Sequence, residues 1–245
     1  MINEIPKDLK EFDTFIEYPF CIFEKKNLLN QLDYNQLREK FPKEELFPGN
    51  HKNGNKIFLN NKHKEFYKFI KGNIWNDFYN LFNNKDFIFF LVKLISPQLE
   101  NIENRKNFNN FHFKEKYSNN IYFKLHKKLL SLINRQIIRL GFEFSIIKKN
   151  CYIPPHCDTE NKLLSLMLYF PPEKKISLLN EDLGTNFYKK KDGSTKNFDI
   201  WKSKYLDTDN SKIFYENYEN FFQSKFEENK LVGFIKNNKS WHDVS

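Results

Sequence analysis

The sequence has 245 residues, which is enough to bury a substantial core and fits a single domain. Aromatic residues make up 18% of it, with 28 Phe, and this argues against intrinsic disorder of the whole chain. The formal charge of +9 would suit an anionic partner such as nucleic acid or an acidic membrane surface. The basic residues are scattered, however, and the Lys, Asn, Ile, Phe and Tyr content follows AT-rich codon usage. We therefore do not expect nucleic acid binding.

The cysteines and the hydropathy pattern bear on the compartment. Cys21, Cys151 and Cys157 form no Cys-x-x-Cys pair, and an odd count without a cleavable signal argues against a disulfide framework. The sequence therefore predicts a reducing, cytoplasmic location. The most apolar run, residues 87–95, contains Lys93 and is much shorter than the roughly 20 residues of a membrane span, so no membrane association is expected.

The periodicity of apolar residues changes near residue 136. Before that point, helical spacing predicts amphipathic helices at residues 30–41, 61–82 and 121–137. Residues 100–120 are rich in Asn, Lys and Glu without a steady period and are predicted to form a mobile surface connection. We expect one domain over residues 1–245, whose residues 1–136 form a mainly helical layer.

After residue 136, short runs of β-forming residues are separated by Pro, Gly, Asn and Asp. Such a pattern is typical of a sandwich or jelly roll, and the overall class is therefore α+β. The polar stretch 189–212 is predicted to be a solvated loop, with a lid over a substrate as the alternative. The predicted strands are 142–147, 152–157, 163–170, 185–188, 212–215, 230–235 and 240–244.

One His-x-Asp pair stands out as a candidate metal site. His156 and Asp158 are two residues apart in a predicted strand, so their side chains project to the same side. Non-haem Fe(II) oxygenases bind the metal through two His and one carboxylate on one face. A distant histidine, His242, can complete the set, because jelly rolls bring distant strands together. The alternative is an ordinary hydrogen-bonded turn pair and a surface histidine.

Four segments extend this pattern: YIPPHCD, LLSLMLYFPP, LGTNFY and KLVGFIKNNKSWHDV. In order and spacing they resemble the prolyl-4-hydroxylase-like branch of the Fe(II)- and 2-oxoglutarate-dependent oxygenases over residues 142–245. The opening EYPFCIFEKKNLLNQLDYNQLREKFP is more loosely similar to the start of such enzymes. The resemblance implies a double-stranded β-helix (jelly roll, cupin-like) with a helical N-terminal layer. It also implies that His156, Asp158 and His242 are the catalytic ligands of Fe(II).

The resemblance further implies that Tyr169 and Thr185 bind the distal carboxylate of 2-oxoglutarate. Alternation along the strand independently supports Tyr169, because it shares the mixed face of Ser165 and Met167, whereas the other face is wholly apolar. We expect the mixed face to line the metal cavity and the apolar face to pack on the helices. The alternative for Tyr169 is cross-strand packing. Cys157, on the face opposite the ligands, is predicted to be a core thiol.

The sequence departs from the family pattern in two places. Family members usually carry an Arg or Lys about ten residues past the second metal histidine, where it binds the distal carboxylate, but this sequence ends at Ser245. We expect a fragment lacking its last strands; the alternatives are a substitute cation such as Lys148 or Lys236, or a cosubstrate bound differently. In addition, this sequence has Ile147 at a position where family members often have a tyrosine.

The function implied by the resemblance is oxidative decarboxylation of 2-oxoglutarate by O2, coupled to hydroxylation of a primary substrate. That substrate is open between a peptidyl side chain, a sugar, a nucleotide and another small metabolite, and the oligomeric state is also open. Two alternatives remain: a non-catalytic jelly-roll binding protein for an anionic partner, and an inactive relative that keeps iron.

Overall fold

The computed structural model describes residues 1–50, 56–100, 111–114, 136–148, 151–159, 161–172, 183–198 and 205–245. These residues form a mixed α+β fold with several antiparallel sheets, which confirms the predicted class, and the described residues contain no closed barrel. The chain divides into two compact units. The first unit comprises Met1–Tyr34 and Ile147–Ser245, and the second comprises Asn35–Ile146.

The regular elements are numbered in chain order. The strands are β1 Thr14–Ile16, β2 Ile22–Lys25, β3 Gly49–Asn50, β4 Lys56–Asn60, β5 Phe111–Phe113, β6 Gln136–Ile138, β7 Glu143–Ile147, β8 Ile153–His156, β9 Leu164–Leu168, β10 Gly184–Lys190, β11 Tyr218–Lys225, β12 Leu231–Ile235 and β13 Trp241–Val244. The α-helices are α1 Gln31–Glu39, α2 Lys64–Ile70, α3 Ile74–Phe82, α4 Lys85–Glu100 and α5 Thr208–Asn217.

The first unit is built from two four-stranded antiparallel sheets. Sheet A has the order β1-β2-β12-β9, and sheet B has the order β11-β10-β13-β8. One apolar cluster draws residues from both sheets, so the sheets pack face to face with their inner side chains between them. Its buried members are Phe20, Ile22, Tyr169, Phe187, Val232 and Phe234.

The central strand of sheet A shows why this sequence forms a sheet. Val232 and Phe234 alternate toward the apolar cluster, as a strand period of two requires. Gly233 lies between them, and a Cβ there would collide with the ring of Phe23. The absent side chain therefore lets Phe23 lie directly against β12, which is a close approach that only glycine permits.

The second unit has an interior of aromatic side chains from α2, α3 and β7. The Phe144 ring centroid lies 4.7 Å from that of Trp75 and 5.8 Å from that of Phe66. Trp75 is buried, and its indole N–H donates a 3.0 Å hydrogen bond to the carbonyl of Lys40. Buried rings in edge-to-face and tilted contacts, together with a satisfied indole, form the core of this unit.

The predicted helix at residues 30–41 is confirmed as α1. The predicted helix at 61–82 is two helices, because Gly72 adopts a positive φ of 72° and the Asn73 side chain then caps α3 by accepting from the Trp75 N–H. Of the helix predicted at 121–137, residues 121–135 lie outside the described residues, and the prediction is wrong for residues 136 and 137, which lie in strand β6. The predicted connection at 100–120 is also mostly outside the described residues, although β5 lies within it.

The strand predicted at 212–215 is wrong, because those residues lie in α5. Asp207 caps this helix by accepting from the Asn210 N–H, and Ser211 and Phe214 bury one face at a spacing of three residues. Five of the other predicted strands each contain an observed one, and the sixth, 185–188, lies within β10. Strands β1 to β6, strand β11 and helix α4 were not predicted.

Two further features concern the surface. None of the helices in the described ranges has both the length and the apolar character needed to cross a lipid bilayer. The polar stretch 189–212, predicted as a loop or lid, starts in β10 and ends in α5, and residues 199–204 within it are not described.

Candidate metal centre

The two candidate histidines face each other across neighbouring strands of sheet B. His242 of β13 is the register partner of His156 of β8, and their ring centroids are 4.1 Å apart. Both side chains are buried. Asp158 follows two residues after His156, just past the end of β8. Ligand atoms of all three residues lie within 4.8 Å of one another, which is close enough for one metal ion to contact all three.

Backbone carbonyls fix the orientation of both imidazoles. The Nδ1 of His156 lies 2.9 Å from the Pro154 carbonyl oxygen, and the Nδ1 of His242 lies 3.0 Å from the Ser240 carbonyl oxygen. A carbonyl can only accept, so each Nδ1 carries the proton and each Nε2 keeps a lone pair. Metal-binding histidines are usually held in this way, with the ring nitrogen that does not contact the metal donating to a carbonyl.

Burial also keeps these histidines neutral. It holds the pKa of His156 well below its usual value, and the neighbouring His242 acts in the same direction. Burial likewise lowers the pKa of His242. A neutral imidazole is the form that binds a metal ion, so near pH 7 no proton has to leave either ring.

Asp158 is the charged member of the triad. Burial, the largest single influence, would raise the pKa of this carboxyl, but Lys162 and the two histidines together outweigh it, so the pKa is lowered and the group is a carboxylate. The Lys162 Nζ lies 2.6 Å from Oδ1, and the Ser165 hydroxyl donates to Oδ2. The second contact comes from β9 of sheet A, so both sheets of the first unit hold the triad in place.

Aromatic rings surround the two histidines. The Phe234 ring centroid lies 4.6 Å from that of His242, and Phe187 is 6.2 Å from the same ring. Tyr205 lies against His156 with its ring centroid 4.6 Å away. These apolar neighbours limit the access of water, which strengthens electrostatic interactions within the site.

Tyr169 and Thr185 lie in the same interior and contact each other. Their hydroxyl oxygens are 2.7 Å apart, and both side chains are buried. Phe187 is the register partner of His242, so Thr185, two residues earlier on β10, is a diagonal neighbour of His242 at about 7 Å. Thr185 therefore lies one diagonal step from the candidate ligand His242, and its hydroxyl contacts the buried hydroxyl of Tyr169.

A glycine makes the position of Thr185 possible. Gly184 has a φ of 154°, and a Cβ there would collide with the backbone carbonyl of Ser224 on β11. Glycine lets the two strands approach so closely that Thr185 and Ser224 become fully buried register partners. The Gly-Thr pair noted in the sequence thus has a structural reason of its own.

The structure brings the predicted triad together, and it brings Tyr169 and Thr185 together; their roles as ligands stay predictions. Cys157 is confirmed as a core thiol, buried in a separate cluster with Tyr188, Phe214 and Trp241. Sequence reasoning did not single out Lys162 as a partner of Asp158. Alternation placed Ser165 on the cavity face, but nothing in the sequence indicated that Tyr205 would lie against His156.

The two substitute cations considered for the distal carboxylate are poorly placed or exposed. Lys148 is exposed. The Lys236 N–H bonds the Leu163 carbonyl, whereas the Tyr169 N–H bonds the Lys230 carbonyl. The residue opposite Tyr169 is therefore Lys230, and Lys236 lies six residues farther along the chain. Six residues span about 20 Å in an extended chain, so Lys236 is poorly placed to act together with Tyr169.

Comparisons with known proteins add no relative. No protein-family model, curated protein or solved structure matches this chain.

Proposed function

We propose that the protein is an Fe(II)- and 2-oxoglutarate-dependent oxygenase in which His156, Asp158 and His242 hold the metal. The observation that carries this proposal is the convergence of the three ligand atoms within 4.8 Å, with both imidazoles oriented by carbonyls. Two neutral imidazoles and one carboxylate form the donor set that non-haem Fe(II) oxygenases use, and the remaining positions stay open for cosubstrate and O2.

The strand connectivity supports a jelly roll as the fold of the first unit. From β8 to β13, successive strands lie in sheets B, A, B, B, A and B. A chain that passes repeatedly between two facing sheets is typical of the double-stranded β-helix. The same connectivity makes β8 and β13 neighbours, and this pairing is what joins His156 to His242.

The buried hydroxyls of Tyr169 and Thr185 support 2-oxoglutarate as the cosubstrate. Thr185 lies one diagonal step from His242, and Tyr169 contacts Thr185, so a short dicarboxylate that contacts the metal at one end would reach this hydroxyl pair with the other. Hydroxyl donors suit a carboxylate, whose oxygens only accept. The rings of Phe187 and Phe234 belong to the apolar cluster beside His242.

The proposal assigns a task to the metal and to the groups that hold the triad. Bound Fe(II) would supply the oxidation in which one oxygen atom of O2 converts 2-oxoglutarate to succinate and CO2 and the other hydroxylates the primary substrate. Ser165 orients the Asp158 carboxylate, and the carbonyls of Pro154 and Ser240 hold the rings. The primary substrate is a peptidyl side chain, a sugar or a small metabolite. The three free cysteines suit a reducing cytoplasm.

The test is metal binding together with succinate release. The protein loaded with Fe(II) under anaerobic conditions and then exposed to O2 and 2-oxoglutarate is expected to release succinate. His156→Ala and Asp158→Ala should each weaken metal binding by at least about 100-fold, because loss of even an orienting partner costs about 10- to 100-fold.

The matched controls are His63→Ala in the second unit and Asp209→Ala, whose side chain is 92% exposed. Both should leave metal binding and succinate release unchanged. A protein that takes up no metal and releases no succinate rules out the proposal.

One observation favours a second candidate, a binding protein without catalysis. Both carboxylate oxygens of Asp158 already have partners, Lys162 and Ser165, so the triad is electrostatically satisfied without a metal. An anionic partner would suit the charge of +9. Binding of such a partner that weakens with salt and is indifferent to His156→Ala, with no metal uptake, would favour this candidate.

A further inference from the structure

Five polar side chains are buried together at one end of the first unit's interior. Tyr169, Lys230 and Glu24 come from the side of sheet A, and Thr185 and Ser224 come from sheet B. All five are almost completely inaccessible to solvent. A buried lysine and a buried glutamate are uncommon, and each needs a reason for being there.

The strand register shows that these side chains face one another. Leu231 pairs with Leu168, so Lys230 lies opposite Tyr169, and the Tyr169 N–H bonds the Lys230 carbonyl. Glu24 pairs with Val232, and Val232 and Tyr169 both point into the apolar cluster. Opposite residues share a face in an antiparallel pair, so Lys230 and Glu24 also point into the interior.

The second sheet completes the group from the other side. Thr185 and Ser224 are register partners, and Thr185 is two residues from Phe187, whose side chain lies in the same apolar cluster. The Thr185 hydroxyl bonds that of Tyr169 at 2.7 Å. The Ser224 hydroxyl is near Tyr169 but makes no well-directed hydrogen bond within the described part of the chain.

The ion pair in this group is loosely made. Lys230 Nζ lies 3.4 Å from Oε1 of Glu24, which is longer than a good charge-assisted hydrogen bond, and this Oε1 has no hydrogen bond among the described residues. Lys230 also lies 3.2 Å from Glu227, whose side chain is 43% exposed. Buried polar groups left without partners indicate that a ligand or water completes them.

We propose that Lys230 is the cation that binds the distal carboxylate of the dicarboxylate cosubstrate, together with the hydroxyls of Tyr169, Thr185 and Ser224. Glu24 is then an internal carboxylate that pairs with Lys230 until the ligand displaces it. This inference rests on the proposed function, because it identifies the cation that would bind the distal carboxylate of the cosubstrate. Lys230 lies at the Tyr169 end of β12, whereas Lys236 lies at the other end.

The proposal makes two substitutions act in opposite directions. Lys230→Met removes the cation and should weaken 2-oxoglutarate binding by about 10- to 100-fold, the range for a hydrogen bond to a charged group. Glu24→Gln removes the internal competitor and should tighten binding by roughly threefold or more. A gain in affinity cannot result from damage to the fold, so this second variant keeps the proposal testable if the first folds poorly.

The measurement is calorimetric titration of the intact protein loaded with Mn(II), which does not turn over. The ligands are 2-oxoglutarate and 2-oxobutanoate, which lacks the distal carboxylate. Lys230→Met should weaken the first and leave the second unchanged. Lys26→Met, which removes an exposed lysine 3.9 Å from Glu227, is the control and should change neither.

Other outcomes separate this inference from the proposed function. If the protein binds no Mn(II), the proposed function fails, and the inference falls with it. If Mn(II) and 2-oxoglutarate bind but Lys230→Met or Glu24→Gln changes nothing, only the role of this ion pair is overturned. Equal weakening of both oxo acids in Lys230→Met would also overturn it.

Discussion

The interiors of the two units are built on different principles. The second unit buries aromatic rings, with Trp75, Phe66 and Phe144 in mutual contact. The first unit buries groups that are costly to remove from water, among them His156 and Lys230. Packing rings yields stability, whereas burying polar groups costs free energy unless each is paired. The contrast supports the ligand site proposed for the first unit, because stability alone gives no reason to bury these groups.

The apolar part of the first unit surrounds its polar groups on a framework of paired strands. Ile22, Val232 and Phe234 form the cluster between the sheets, and the triad and the Tyr169–Thr185 pair adjoin it. Rigid strands position ligands more accurately than loops do. The comparison therefore predicts that substitutions in the second unit change stability, whereas substitutions in the first change binding.

The largest expected effect is on the stability of the second unit. Phe144→Ala removes a buried ring that contacts Trp75 and Phe66, and it should lower the free energy of unfolding by about 3–5 kcal/mol. Chemical denaturation monitored by Trp fluorescence measures this loss. Metal affinity, measured well below the unfolding midpoint, should be unchanged.

The matched control for this variant is Phe89→Ala, because Phe89 is 41% exposed. It should cost less than about 1 kcal/mol. Similar losses in the two variants would contradict the view that the aromatic interior is the main source of stability in this unit.

Local patterns predicted those elements whose spacing is regular. The helix α1 and the strand β9 follow from periods of 3.6 and 2, and the His-x-Asp pair could be recognised because both ligands lie within three residues. The partnership of His156 with His242 could not be derived from spacing, since it depends on β8 and β13 becoming neighbours. The family resemblance supplied that pairing.

The failures have two physical causes, a local helix cap that the strand pattern did not reveal and burial through long-range contact. Residues 212–215 have β-forming side chains, but the Asp207 cap and the burial of Phe214 make them helical. Glu24 and Lys230 read as surface residues by type, although alternation with Ile22 and Val232 placed both on an inward face. Charged residues that alternate with core residues were the available signal for the polar group.

A smaller effect is expected at the triad itself. The ammonium of Lys162 lies 2.6 Å from the Asp158 carboxylate and competes with a metal cation for it. The Lys162 side chain is half exposed, so the ion pair is worth at most about 1 kcal/mol. Lys162→Met should therefore increase metal affinity by up to about fivefold.

Titration of Mn(II) into the protein measures this change directly. Lys189→Met is the matched control, because Lys189 forms a comparable exposed ion pair with Glu219 at 3.0 Å, away from the triad. It should leave the affinity unchanged. A fall in affinity in Lys162→Met would mean that the lysine orients Asp158 rather than competing with the metal.

The smallest effect concerns an ion pair of the second unit and its dependence on pH. Lys56 Nζ lies 2.6 Å from Oε1 of Glu143. Burial would raise the pKa of Glu143, but Lys56 and the hydrogen bonds from Ser145 and Asn60 together outweigh it, and the pKa in the folded protein is lowered from 4.5. Because the unfolded chain takes up this proton at a higher pH, the stabilisation is complete above pH 4.5 and is lost as the pH falls through the folded pKa.

Glu143→Gln should therefore be less stable than the parent protein near pH 7. The expected loss is about 0.2–1 kcal/mol, because the pair is partly exposed, and the difference should shrink below pH 4.5. Urea unfolding at a series of pH values measures this difference, and Lys56→Met should reproduce it; a difference that stays constant down to pH 3 would show that the pair contributes through packing instead of charge.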